Sequence, residues 1–155
     1  MTESAIQETE LFDRDVRCRI YRAFTDTGSA PTSEQLASEL SVDVATVLQS
    51  MSRLEHAHLL VLAPGSANVW MAHPFSAVPT AYGATFEGRR YWANCAWDYL
   101  ALPSLIGATG VQSARCAQTG EVIEATFAAG RFVAGAGVVH FAVPPKRFWE
   151  NVAFT

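Results

Sequence analysis

Residues 91–107 read YWANCAWDYLALPSLIG. This stretch decides the fold of the second half of the chain. Residues 84–94, ATFEGRRYWAN, predict a β-hairpin turning at Glu87-Gly88. From Cys95 the pattern changes to a short helix or helical turn, ended or kinked by Pro103. Within it stand a thiol and a carboxyl group, Cys95 and Asp98. Both are costly to bury unless they are paired or used. On a helix, residues three apart share a face, so the spacing directs both groups to one place. A thiolate is a soft metal ligand, and a carboxyl group delivers or accepts a proton. Together they suit protonolysis of a bond to a soft metal. The same spacing also fits a plainer reading, in which the cysteine acts as a small apolar side chain and Asp98 caps a turn.

Working outward, residues 109–127 predict a second hairpin turning near Thr119-Gly120. Residues 138–143, VVHFAV, predict a buried strand. PPKRFWENV opens with prolines and predicts a helix, and AFT at 153–155 would begin another strand. Upstream, HPFSAVPTAYG at 73–83 predicts an ordered linking loop. Residues 1–62 read as helical. Phe12, Val16, Ile20 and Phe24 line one face of a helix over roughly 8–25. Thr32 and Gln35 form a capping box opening a short helix with Leu36 and Leu40 inward. Val44, Val47, Leu48, Met51 and Leu54 mark a third helix. LLVLA and NVWMA, joined through Pro64-Gly65-Ser66, predict a small hairpin. The expected fold is α+β. A three-helix, winged-helix-like module with its linker occupies 1–80, and a small mixed or antiparallel sheet domain carrying the Cys95/Asp98 site occupies 81–155.

A winged-helix pattern invites a nucleic-acid reading, which the charges oppose. Residues 1–80 hold five arginines, no lysine and ten acids, 5 − 10 = −5. Phosphate contacts need Lys and Arg, and the third helix offers only Arg53 as a fixed cation. A structural or dimerisation role fits this module better. The whole chain of 155 residues carries a net charge of −4, with 50% hydrophobic and 17% charged residues, which excludes a disordered chain. No apolar run is long enough for a membrane span. The acidic N-terminus, MTESAIQETELFDRD, resembles neither a secretory signal nor a transit peptide, so a cytoplasmic location is expected. Three widely spaced cysteines, Cys18, Cys95 and Cys116, do not suggest a disulfide framework.

The segment 91–120 resembles the organomercurial (alkylmercury) lyase family. The resemblance rests on NCAWD, on LALPSLIG with Pro103 and Gly107, and on ARCAQTG around Cys116. HPFSAVPT and VVHFAVP extend it over most of the chain. It implies that Cys95 is the family's first catalytic cysteine, and that Asp98 handles the proton and contacts mercury. It implies a structural role for Cys116. In the implied reaction, thiolates bind the mercury of an organomercurial, a proton goes to the carbon, and Hg(II) is held until a thiol carrier or a mercuric reductase takes it. No organic cofactor is implied. The family's second catalytic cysteine lies on a later strand, reached through a piece resembling WENVAFT, and Thr155 is the last residue of this sequence. The resemblance therefore implies either a truncated form or a short relative lacking the second ligand, with a sheet edge left open. The alternatives are a non-catalytic soft-metal binder and, ranked last, a winged-helix transcriptional regulator.

Other residues carry less. His73 and His140 fit no standard zinc spacing and read as structural histidines. His56 and His58 read as helix-end charges. Trp92 and Trp97 flank Cys95 and read as core, as the wall of an apolar pocket, or as both. Arg89 and Arg90 read as a solvated strand turn.

Overall fold

Three helices open the chain: α1 (Glu3–Thr27), α2 (Ser33–Leu40) and α3 (Val44–His56). The computed structural model describes residues 3–152, which divide into two compact units between Val78 and Pro79. α1 is longer than the apolar stripe alone indicates, because polar residues extend it N-terminally beyond the buried face. That face is Val16, Ile20 and Phe24, each fully buried. Gly28, at φ 77°, ends the helix and donates its N–H to the Phe24 carbonyl. The capping box forms as expected. Gln35 N–H donates to Thr32 Oγ1 at 3.2 Å, and Thr32 N–H donates to Gln35 Oε1 at 2.8 Å. Asp43 caps α3 by accepting from Thr46 N–H at 2.8 Å. Each such cap is worth about 1 kcal/mol.

α1 and α3 are tied by a bidentate ion pair. Arg53 Nε and Nη2 meet the two carboxylate oxygens of Asp13 at 2.8 and 2.6 Å. The only fixed cation of α3 is thus engaged within the protein. Burial pushes the Asp13 carboxyl up, but the hydrogen bonds and charge of Arg53 outweigh it and hold the group below its ordinary value. β1 (Val61–Leu62) and β2 (Val69–Ala72) form the small antiparallel hairpin. The segment 73–83 is not the plain loop its prolines predict. It holds β3 (Phe75–Ser76), which pairs antiparallel with β2. Two residues are too few to show a period. Phe75 nonetheless anchors them, fully buried and stacked on Phe24 with centroids 5.0 Å apart.

In the second unit β4 (Tyr82–Phe86) and β5 (Arg89–Ala93) form the expected hairpin. Glu87 at φ 50° and Gly88 at φ 77° make the left-handed two-residue turn that matches strand twist. α4 (Ala96–Ile106) follows, then an antiparallel sheet in the order β6 (Gly110–Arg115), β7 (Val122–Ala128), β8 (Arg131–Gly135). β8 carries no sequence signal because all five of its residues are exposed, leaving no alternation to read. The expected buried strand at 138–143 is absent. These residues are irregular, His140 is exposed and Val138 is 91% exposed. A β-branched run becomes a strand only where an edge accepts it, and none of the described strands pairs with this one. Phe141 packs its ring near those of Trp97 and Phe148 instead. The proline-led segment forms a 3-10 helix, Pro145–Glu150, in place of an α-helix. The strand expected at 153–155 lies outside the described residues.

Pro103 does not end α4: the helix continues to Ile106, and the Pro103 carbonyl accepts the N–H of the C-cap residue Gly107. A proline four residues on has no N–H for the Tyr99 carbonyl. Gln112, on β6 and only 3% exposed, supplies the missing donor: its Nε2 bonds Tyr99 O at 2.8 Å. Tyr99 Oη returns a bond to the Ser113 carbonyl at 3.1 Å. Helix and sheet are therefore joined by polar bonds inside a buried layer that includes Leu102 and Phe127.

Two predictions follow from these contacts. Gln112→Leu strands the Tyr99 carbonyl and is expected to cost about 1–3 kcal/mol in urea unfolding. Pro103→Ala restores a backbone donor, so Pro103→Ala/Gln112→Leu should recover part of that loss; additive losses would refute the compensation. Asp13 has a depressed carboxyl, so its contribution is present above the ordinary Asp range and lost as pH falls through the folded value. Asp13→Asn should therefore cost about 1 kcal/mol at neutral pH, and the gap to wild type should close in acid unfolding curves.

Candidate active site

β5 delivers the chain into α4 through Asn94 and Cys95. Cys95 is extended, with φ −145° and ψ 179°, and occupies the N-cap of α4. It therefore does not share a helix face with Asp98, as helical spacing alone suggests. A different geometry brings the two together. From the N-cap, Cys95 lies beside the third helical residue, Asp98. The Asp98 carboxylate, in a residue only 8% exposed, acts on the thiol through both its charge and a hydrogen bond. Asn94 Nδ2 donates to Asp98 Oδ2 at 3.1 Å.

Burial pushes the Cys95 thiol above its ordinary pKa, and the Asp98 carboxylate pushes it further. The backbone N–H groups of Asp98 and Trp97 oppose the rise without overcoming it. A cysteine at a helix N-terminus is commonly acidified; here the neighbouring carboxylate and burial reverse that tendency. Cys95 thus carries its proton at neutral pH, next to a carboxylate able to take it when a soft metal displaces it.

The other candidates stand apart from this pair. Cys116 follows β6 and begins the β6–β7 turn, where its N–H donates to the Glu121 carbonyl at 2.8 Å. The Thr119 hydroxyl, then the Thr119 and Gln118 backbone N–H groups, draw its thiol below the ordinary value. Cys18 is exposed on α1, in the first unit. All three cysteines are free. Among the described residues no group of three His, Cys, Asp or Glu side chains is placed to hold a metal ion, so neither Cys116 nor any histidine joins Cys95 and Asp98 as a third ligand. His73 is half-buried, and its carbonyl accepts from Tyr21 Oη at 2.8 Å. His56 and His58 are exposed. Trp97 is not core: it is 59% exposed. Trp92 is half-buried, with the Arg90 guanidinium 4.3 Å from its ring centre. Arg89 and Arg90 are exposed, as expected.

Sequence reasoning missed Asn94, Tyr99 and Gln112. A signal existed for Gln112: a proline inside a helix requires a replacement donor for the carbonyl four residues earlier. No comparable signal marks Asn94, whose contact depends on how β5 meets α4.

Comparison with known proteins bears on the same segment. Residues 75–155 match the family model described as alkylmercury lyase. A solved structure, the mercury-bound form of MerB2, is similar at 26% sequence identity with a TM-score of 0.64. The match covers 79% of this chain and 59% of that one, so the chain spans about three fifths of this relative's length. No curated protein matches. The matched half contains the helix N-terminus on which Cys95 and Asp98 meet, and the chain belongs to the alkylmercury lyase family.

Proposed function

We propose that this chain acts as an organomercurial lyase-like protein, cleaving a carbon–mercury bond by protonolysis and retaining Hg(II) on Cys95. The observation that carries this reading is the placement of Cys95 at the N-cap of α4 beside the buried Asp98 carboxyl group, where burial and that carboxylate raise the thiol pKa. The chemistry balances in two steps. The thiol sulfur bonds the mercury of R–Hg(II), and the thiol proton passes to Asp98, giving a Cys95–S–Hg–R adduct and a carboxylic acid. The acid O–H bond and the C–Hg bond then break together, and the proton joins the carbon with the electron pair of the C–Hg bond. The products are R–H, Hg(II) on Cys95 and the Asp98 carboxylate. A soft thiolate suits the metal, and a carboxyl group so placed suits the proton. No organic cofactor takes part. A solution thiol is the second mercury ligand, and a thiol carrier or a mercuric reductase accepts the product ion. A cytoplasmic setting, where thiols stay reduced, fits this use.

The helices and short hairpin of the first unit are read as a winged-helix-like structural module. The engagement of Arg53 by Asp13 supports a role other than binding phosphates. No helix among the described residues is long and apolar enough to cross a membrane.

One observation favours a second reading, a non-catalytic soft-metal binder: no third ligand group joins the pair among the described residues. The two readings separate by experiment. Hydrocarbon release from an organomercurial is measured with excess thiol. The lyase reading expects release that Cys95→Ser abolishes and that Asp98→Asn lowers by at least roughly a hundredfold, the scale of general-acid assistance. Retention of Hg(II) by wild type without any release would establish the binder instead. Cys116→Ser is expected to weaken the fold while leaving tight Hg(II) binding intact.

The two thiols differ in acidity, which gives an independent check. Cys116 is acidified and Cys95 is not, so at neutral pH iodoacetamide should label Cys116 well before Cys95. The gap should narrow in alkaline buffer as the Cys95 thiol ionises. Mass spectrometry of the alkylated peptides reads both rates, and faster labelling of Cys95 at neutral pH would contradict the site electrostatics.

A further inference from the structure

We propose that Asn94 is a positioning residue for Asp98, selecting which carboxyl oxygen carries the proton; this rests on the lyase reading above. Asn94 leaves β5 one residue before Cys95, and its Nδ2 donates to Asp98 Oδ2 at 3.1 Å. An amide N–H only donates, so Oδ2 is kept as an acceptor and the transferable proton is assigned to Oδ1. The bond also fixes the plane of the carboxyl group. Asp98 is 8% exposed, so water competes little for Oδ2.

The contact has a direction in the reaction as well. As the acid O–H bond breaks, negative charge grows on Asp98. A hydrogen bond to a carboxylate is stronger than one to a carboxylic acid. The Asn94 bond therefore strengthens as the proton leaves, which favours the transition state over the bound substrate. The free enzyme holds Asp98 as a carboxylate, so the bond is weakest in the protonated adduct; loss of Asn94 should lower kcat and KM together and leave kcat/KM nearly unchanged. Asn94 touches neither the mercury nor the organic group in this scheme; it acts through Asp98.

The test uses the full chain and hydrocarbon release from an organomercurial. Asn94→Ala is expected to lower kcat roughly tenfold, the fold-change equivalent of one charge-assisted hydrogen bond, with KM falling alongside it and kcat/KM within about twofold. Asn94→Gln, which keeps the amide, should restore part of the rate. In an Asp98→Asn background, Asn94→Ala should cost nothing more, because the bond it removes no longer serves a proton donor. Unchanged kcat in Asn94→Ala, or an equal loss with and without Asp98, overturns the proposal. A wild-type chain that releases no hydrocarbon overturns the lyase reading itself. The orientation claim is then decided by NMR of the Asn94 side-chain amide. Asp98→Ala should shift one of its two proton signals and speed that proton's solvent exchange. No change in either would overturn the orientation claim.

Discussion

Everything at the site depends on one missing hydrogen bond. Pro103 deprives the Tyr99 carbonyl of its helical donor, and a buried carbonyl without a donor is destabilising. Gln112 restores the bond from β6 and in doing so joins α4 to the sheet. Tyr99 follows Asp98 directly, so the first turn of α4, with the carboxyl it carries, is located by a strand that begins at Gly110. The helix is apolar over most of its length and has little amphipathic stripe to orient it. Polar bonds to Tyr99 and from Tyr99 Oη therefore supply the orientation that patterned packing gives to other helices.

The helix N-terminus then shapes the chemistry. N-cap geometry brings Cys95 over the first turn, where unsatisfied N–H groups would ordinarily favour a thiolate. Burial and the Asp98 carboxylate outweigh them. The result is a thiol whose pKa is raised where a helix N-terminus would ordinarily lower it, beside a carboxyl group. Cys116, in an open turn with donors around its sulfur, has the opposite electrostatics. The same element, cysteine in a hairpin-rich unit, is thus tuned in two directions by local donors, burial and charge.

Much of the architecture was legible along the chain because its signals are local. A period of four placed Phe12, Val16, Ile20 and Phe24 on one face; the last three are fully buried and Phe12 is half-buried. Thr32 and Gln35 stand three apart and form the capping box. Glu87-Gly88 makes the tight hairpin turn, with both residues in the left-handed region that glycine adopts freely. Elements whose existence depends on a distant partner were not legible. β3 is two residues long and exists because β2 and Phe24 receive it. β8 has an edge position and no buried residue. Residues 138–143 have the composition of a strand but no described strand to pair with, so composition alone was misleading there.

The sequence by itself determined the α+β class and the family, and it singled out Cys95 and Asp98 as the candidate pair, because residue types and short spacings carry that information. Only the tertiary structure decided how the pair meets: Cys95 caps the helix and does not lie on its face. It also decided that Asn94 bonds Asp98 and that Gln112 replaces the donor that Pro103 removes from α4. The physical reason is range. Periodicity, capping and turn chemistry act within a few residues, whereas the replacement of a lost hydrogen bond and the desolvation of a thiol depend on which remote segments pack against them.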